Sequence, residues 1–177
     1  MTYCCCLGAA GPEFQGPGFS ALHLASAGNG AIGGAAPLRT LDLLLKFGAA
    51  VNARDLLGRT ALLIAATSGS AWTYEALTAR GADVHTVDDA GCTPLLQYAK
   101  RGSLEMVQCL LQRGPNGGGD HTRCLSDGSS LFHAAAHSGN TLLVEWLADA
   151  CGDPHAALRA ANGAGQSPLQ MHEARDT

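Results

Sequence analysis

The chain reads as an all-α array of stacked helical units, and three observations say so. A short signature of Gly, any residue, then Ser or Thr recurs five times ahead of an apolar stretch: Gly18–Ser20, Gly58–Thr60, Gly91–Thr93, Gly128–Ser130 and Gly165–Ser167. The hydroxyl residues lie 40, 33, 37 and 37 positions apart, and self-similarity at such a period marks a repeat architecture rather than one closed core. Of the 177 residues 46% are hydrophobic but only 5% aromatic. The apolar mass is therefore Ala and Leu, which suits closely packed short helices.

Residues 1–17 match no unit and are expected to be poorly ordered. The first unit, 18–57, carries its signature at Ser20 and an expected insertion, Gly28 to Pro37, between its helices. The second, 58–90, and the third, 91–127, are the cleanest. Thr60 and Thr93 can each accept an amide of the first helical turn as N-caps. Pro94 suits the first helical position, where its missing N–H costs nothing. Gly69 and Gly102 then stop the short helix, because glycine tolerates positive φ. A second helix follows, apolar at Leu104, Val107, Leu110 and Leu111, and Gly81 or Gly114 ends it. The fourth unit, 128–164, starts at Ser130 after the glycine-rich connection Pro115–Gly119. A partial fifth, 165–177, leaves room for one helix.

Helix, tight turn, helix and a Gly-punctuated connection resemble the ankyrin repeat, whose signature is T-P-L-H-x-A. Here it stands as Ser20-Ala21-Leu22-His23-Leu24-Ala25, Thr60-Ala61-Leu62-Leu63-Ile64-Ala65, Thr93-Pro94-Leu95-Leu96-Gln97-Tyr98, Ser130-Leu131-Phe132-His133-Ala134-Ala135 and Ser167-Pro168-Leu169-Gln170. The tail of the family unit is matched by Gly48-Ala49-Ala50-Val51-Asn52-Ala53, and less well by Gly81-Ala82-Asp83-Val84-His85 and Cys151-Gly152-Asp153-Pro154-His155. The resemblance implies an all-α ankyrin-repeat solenoid over 18–177, of about four helix-turn-helix repeats plus the partial fifth, with hairpin-like loops. The signature histidine survives only at His23 and His133, so the stability of the units is expected to be uneven.

Leu62, Ile64, Leu77, Leu95, Val107, Leu110, Phe132, Val144, Trp146 and Leu147 fall at inward positions. Trp72 falls at an outer position of its helix, where packing on a neighbour is preferred over partner contact. In the family, partners are held by loop tips and the exposed side of each first helix. Carried across, the tips are Asp55, Leu56, Leu57 and Arg59; Asp88, Asp89 and Cys92; Ser126, Asp127 and Ser129; and Gln166. The helix positions are Thr67 and Ser68, Lys100 and Arg101, and His137 and Ser138. Two leucines on a loop tip are poorly explained by folding, although isolated exposed leucines are common. For Lys100 and Arg101, beside Asp88 and Asp89, a compensated charge cluster competes with an anchor for an acidic partner. The segment Leu44–Asn52 looks like the ankyrin stretch that asparaginyl hydroxylases modify. Asn52 is then a substrate, or it shapes the turn through its own backbone; the turn role is preferred.

Other functions find little support. A net charge of −4 argues against nucleic-acid binding, which needs a basic stripe. No run of 18 apolar residues predicts membrane insertion, and no secretory signal stands at the N-terminus. Seven scattered cysteines without a C-x-x-C pair indicate neither zinc nor a redox motif; they fit a reducing compartment, cytosol or nucleus. Gly28-Asn29-Gly30-Ala31-Ile32-Gly33 spells G-x-G-x-x-G but follows a helix rather than a strand, so no cofactor is expected. Cys4-Cys5-Cys6 lacks the second signal that stable lipid anchoring needs. His121 near Cys124, and His133 near His137, read as structural or surface histidines, not metal ligands. No nucleophile elbow, phosphate loop or paired carboxylate predicts catalysis. The expectation is a monomeric, non-enzymatic module that binds another protein, or a regulatory or structural segment of a larger polypeptide.

Overall fold

Each Gly-x-Ser/Thr signature becomes a helix start. Thr60 is extended at φ −94°, ψ 167°, and its hydroxyl accepts the Leu63 N–H. Thr93 does the same for Leu96, with Pro94 in the first turn. Gly69 stops the first of these helices in the left-handed region at φ 78°, where a Cβ is unfavourable.

The computed structural model describes residues 20–27, 35–114, 125–150 and 154–173. Among these lie ten helices: α1 (Ala21–Ala27), α2 (Ala35–Lys46), α3 (Ala61–Ser68), α4 (Ala71–Ala79), α5 (Pro94–Lys100), α6 (Leu104–Gln112), α7 (Leu131–Ser138), α8 (Thr141–Ala150), α9 (Pro154–Arg159) and α10 (Pro168–Glu173). The first helices stack in order, α1 on α3, α3 on α5, α5 on α7 and α7 on α10, while α2, α4, α6 and α8 each pack on their own partner. The fold is the all-helical ankyrin-type array the resemblance implies.

One apolar core runs from Leu22 and Leu41 to Leu143 and Leu147. Stacked first helices approach closely because they are short and rich in alanine: Ala61, Ala65, Ala66, Ala99 and Ala135 are all buried. Leu62, Ile64, Leu77, Leu95, Val107, Leu110, Phe132 and Leu147 are buried as expected. Val144 and Trp146 are partly buried against this core. On the outer side Asp42 pairs with Arg80 and Glu75 with Arg113 at 2.6 Å. Each pair joins the outer helix of one unit to the end of the next.

Two expectations change. Trp72 does not pack on a neighbour: it is 77% exposed, because Thr73, Tyr74 and Leu77 take the inward face of α4. The insertion of the first unit does not reach Pro37, since α2 already begins at Ala35; proline is tolerated in a first turn, where no i−4 carbonyl awaits its N–H. Past the tail of the fourth unit, whose Cys151–Asp153 lie outside the described residues, a short helix the repeat pattern does not foresee, α9, opens at Pro154. The expectations for residues 1–17, Cys4–Cys6, Gly28–Gly33, and His121 with Cys124 lie outside the described residues.

Candidate protein-binding surface

The tips are built on one repeated backbone turn. Asp55 N–H donates to Arg59 C=O at 2.9 Å, Asp88 to Cys92 at 3.2 Å, Leu125 to Ser129 at 2.9 Å and Asn162 to Gln166 at 2.9 Å. Each turn closes through a glycine at φ 70–76°: Gly58, Gly91, Gly128 and Gly165. This left-handed requirement is why the signature begins with Gly.

A short polar side chain fixes three of the turns from within. Asp55 Oδ1 accepts the Leu57 and Arg59 N–H groups at 2.9 and 2.8 Å. Asp88 Oδ1 accepts from Ala90 and Cys92, and Asn162 Oδ1 from Ala164 and Gln166. In the remaining turn Leu125 holds this position, packed against the core. There Asp127 Oδ1 takes the Ser129 N–H at 2.8 Å.

Neighbouring tips are joined to one another. Asp89 N–H donates to Leu57 C=O at 3.1 Å, Ser126 to Ala90 at 2.9 Å and Gly163 to Asp127 at 2.7 Å. Side chains add further ties. Asn52 Oδ1 accepts the Asp83 N–H of the next unit at 2.9 Å, so Asn52 bridges units rather than bonding its own turn. His23 Nε2 reaches Arg59 C=O at 3.0 Å, and His133 Nε2 reaches Gln166 C=O at 3.0 Å. His133 Nδ1 accepts the Ser130 N–H, which leaves Nε2 as the donor to Gln166. Leu63 and Leu96 replace these histidines and are buried instead.

Burial sorts the expected contact residues. Leu56 and Leu57 stand out at 70% and 57% exposure, and Asp89, Ser126, Asp127, Gln166, Thr67, Arg101 and His137 are also exposed. Cys92 is only 1% exposed and cannot present its side chain; burial pushes its thiol up to about 11. Ser129 is buried too, 6% exposed, against Asn162 Nδ2 at 3.2 Å. Asp55 is a turn-former rather than a contact. Its side chain is 2% exposed and pairs with Arg59 at 2.7 Å. Burial raises its pKa, but the Arg59 side chain and the Arg59 and Leu57 N–H groups outweigh that and leave it lowered. Asp88 serves its turn in the same way and is half-buried, as is Lys100. The Ser129 N–H is the main cause that holds Asp127 low, and the Lys100 charge adds to it.

At the inner-helix ends, three polar side chains reach the unit before. Arg101 Nη1 donates to Thr67 C=O at 2.9 Å, half-buried Ser68 to Ser26 C=O at 3.3 Å, and Asn140 to Gly102 C=O at 2.8 Å. Thr67 Oγ1 donates to Leu63 C=O and Ser138 Oγ to Ala135 C=O. Sequence reasoning found Thr67, Ser68, Arg101 and Ser138 but not Asn140, and it missed the inter-unit bonds of Ser68, Arg101 and Asn140, because the sequence carries no signal for which carbonyl a helix-end side chain will reach.

No group of three metal-ligating side chains forms among the described residues. An open apolar groove of about 240 Å³ between α6, α7 and α8 is lined by Leu111, Ser130, Leu131, Phe132, Trp146, Leu147 and Ala150, none of them ionisable. No helix among the described residues is long and apolar enough to cross a membrane.

The comparisons agree with this geometry. A family model described as ankyrin repeats (3 copies) matches residues 75–157, and one described as ankyrin repeat matches residues 17–56. The chain is 36% identical over 98 residues to a mouse B-cell lymphoma 3 protein homolog, covering 55% of this chain and 21% of that protein. It is 32% identical over 130 residues to human ankyrin repeat domain-containing protein 63, covering 73% of this chain and 34% of that protein. A transient receptor potential cation channel subfamily A member 1 homolog from Caenorhabditis elegans is 32% identical over 128 residues, 72% of this chain and 10% of that protein. The chain thus spans between 10% and 34% of the length of these curated relatives. Repeated tip turns, stacked helix pairs and both family models agree: the chain belongs to the ankyrin-repeat family.

Proposed function

We propose that the chain is a non-enzymatic interaction module, an adaptor, scaffold or inhibitor. In this reading it works as a monomer in cytoplasm or nucleus and grips one protein partner through its tips and the exposed ends of its inner helices. One observation carries the reading: Leu56 and Leu57 project from a tip whose backbone is held on both sides. The Leu57 N–H is taken by Asp55 and its C=O by Asp89. Apolar side chains on a backbone already ordered bind at lower entropic cost, and well-packed apolar anchors supply most of an interface's energy. Asp89, Ser126, Asp127, Gln166, Thr67, Lys100, Arg101 and His137 would form the polar rim.

Affinity capture with the chain and with a Leu56→Ser, Leu57→Ser variant tests this. The variant should lose its partner while its melt stays within about 0.5 kcal/mol of the parent's. A matching loss of melt temperature would make the two leucines core instead. A second reading, a regulatory or structural segment of a larger polypeptide, draws support from the greater length of the relatives; it expects capture to be indifferent to the two leucines. Asn52 is a proposed hydroxylation substrate, supported by its exposure. Gain of one oxygen at that residue, read by mass spectrometry, tests it.

A further inference from the structure

The first unit presents an apolar end face. Two of its large side chains, Leu24 and Leu43, occupy positions that are buried or half-buried in later units. Leu24 corresponds to Ile64 and Ala134, both buried, and to half-buried Gln97, and Leu43 to Ala76, Cys109 and Trp146, all half-buried. Phe47 corresponds to Arg80 and Arg113, which reach back to the acid of the unit before. In the first unit Leu24 is 55%, Leu43 54% and Phe47 69% exposed. A unit suited to ending an array has a polar outer face, and three exposed large apolar side chains on one unit mark an interaction site. Leu43 on α2 and Phe47 just past its end lie four residues apart, and Leu24 stands on α1, which packs on α2. Such rows form ridges with a groove that accepts a helix.

The margin of this face is cationic. Arg39 and Lys46 are exposed on α2, while Asp42, the acid of that helix, is turned to Arg80 of the following unit. We propose that the end face is a docking site for an amphipathic α-helix of a protein partner, with a leucine-type stripe edged by acidic residues. Shape supports a helix, because the equivalent faces inside the array are covered by helices of the preceding unit. Charge supports an acidic edge. It also disfavours two copies meeting face to face, which would set Arg39 and Lys46 against their own counterparts.

The test titrates the full chain with two synthetic helical peptides sharing one Leu/Phe stripe, one edged with Glu and the other with Lys, followed by fluorescence anisotropy. The Glu-edged peptide should bind at least about tenfold tighter, and its advantage should shrink as salt rises. A Leu43→Glu, Phe47→Glu variant, altered at exposed sites, should melt normally and lose at least about tenfold in affinity. A Leu56→Ser, Leu57→Ser variant should bind the peptide unchanged, which separates this face from the tips. Equal affinity for both peptides, binding of neither, or undiminished binding by the Leu43/Phe47 variant would overturn the proposal. So would a dimer in sedimentation that Phe47→Glu dissolves, since that result gives the face to a second copy.

Discussion

The rings of Tyr74 and Tyr98 meet edge to face inside the array, their centroids 5.6 Å apart and their planes at 78°. Their hydroxyls fare differently. Tyr98 donates to Ser70 C=O at 3.3 Å, whereas the Tyr74 hydroxyl is buried with no hydrogen-bond partner. Burial pushes the Tyr74 phenol up to about 12. An unmet buried polar group costs roughly 1–3 kcal/mol. Tyr74→Phe should therefore leave stability unchanged or raise it by about 1 kcal/mol, while Tyr98→Phe should lower it by about 1 kcal/mol. Chemical denaturation of the two variants beside the parent checks the contrast.

Asp55 makes stability depend on acid. Its folded pKa lies below the ordinary 3.8, so its contribution is complete above that value and is lost as pH falls through the folded pKa. Asp55→Asn keeps an acceptor for the Leu57 and Arg59 N–H groups, as Asn162 does in its own turn, but loses the charge opposite Arg59. At pH 7 the parent should be more stable than Asp55→Asn by roughly 1–2 kcal/mol. Melts repeated from pH 7 down past pH 4 should show that advantage shrinking toward zero.

Gly69 and Arg101 constrain each other. A Cβ on Gly69 would sit 2.7 Å from Arg101 Nε, and the residue is held at φ +78°. Gly69→Ala should cost about 1–3 kcal/mol. Arg101→Ala alone removes the bond to Thr67 C=O and should cost about 0.5–1.5 kcal/mol. The double variant should be less destabilised than the sum, because the clash is gone while the backbone strain stays. A double-mutant cycle measures that difference.

Leu110 and Trp72 should respond in opposite ways to truncation. Leu110 is fully buried and Trp72 is 77% exposed. Leu110→Ala should cost about 2–5 kcal/mol and Trp72→Ala less than about 0.5 kcal/mol, read from urea midpoints.

Much of the fold was legible because its cues are local. Thr60, Thr93 and Gly69 cap helices through atoms within a few residues, so type and spacing reveal them. The alternation of Leu104, Val107 and Leu110 likewise marks a buried stripe without reference to the rest of the chain. What stayed hidden depends on contacts between units. Asp55 reads as a tip residue, yet its carboxylate turns inward because two N–H groups and Arg59 await it. Cys92 follows the tip glycine but points into the stack. Asn52 was assigned to its own turn, although the amide it satisfies lies 31 residues on. Trp72 shows the opposite error: size suggested packing, but the neighbouring inward positions were already filled.

The bonded row of tips also explains why the signature recurs at unequal intervals. Successive tip glycines are 33, 37 and 37 residues apart in sequence, yet each tip meets the next through the same backbone bond. Registration is thus set at one edge of the molecule, and extra residues can be absorbed elsewhere as spacers without shifting the ruler. An array of this kind tolerates insertions and deletions between its anchor points, so its units can lengthen or shrink while the positions offered at the edge stay in step.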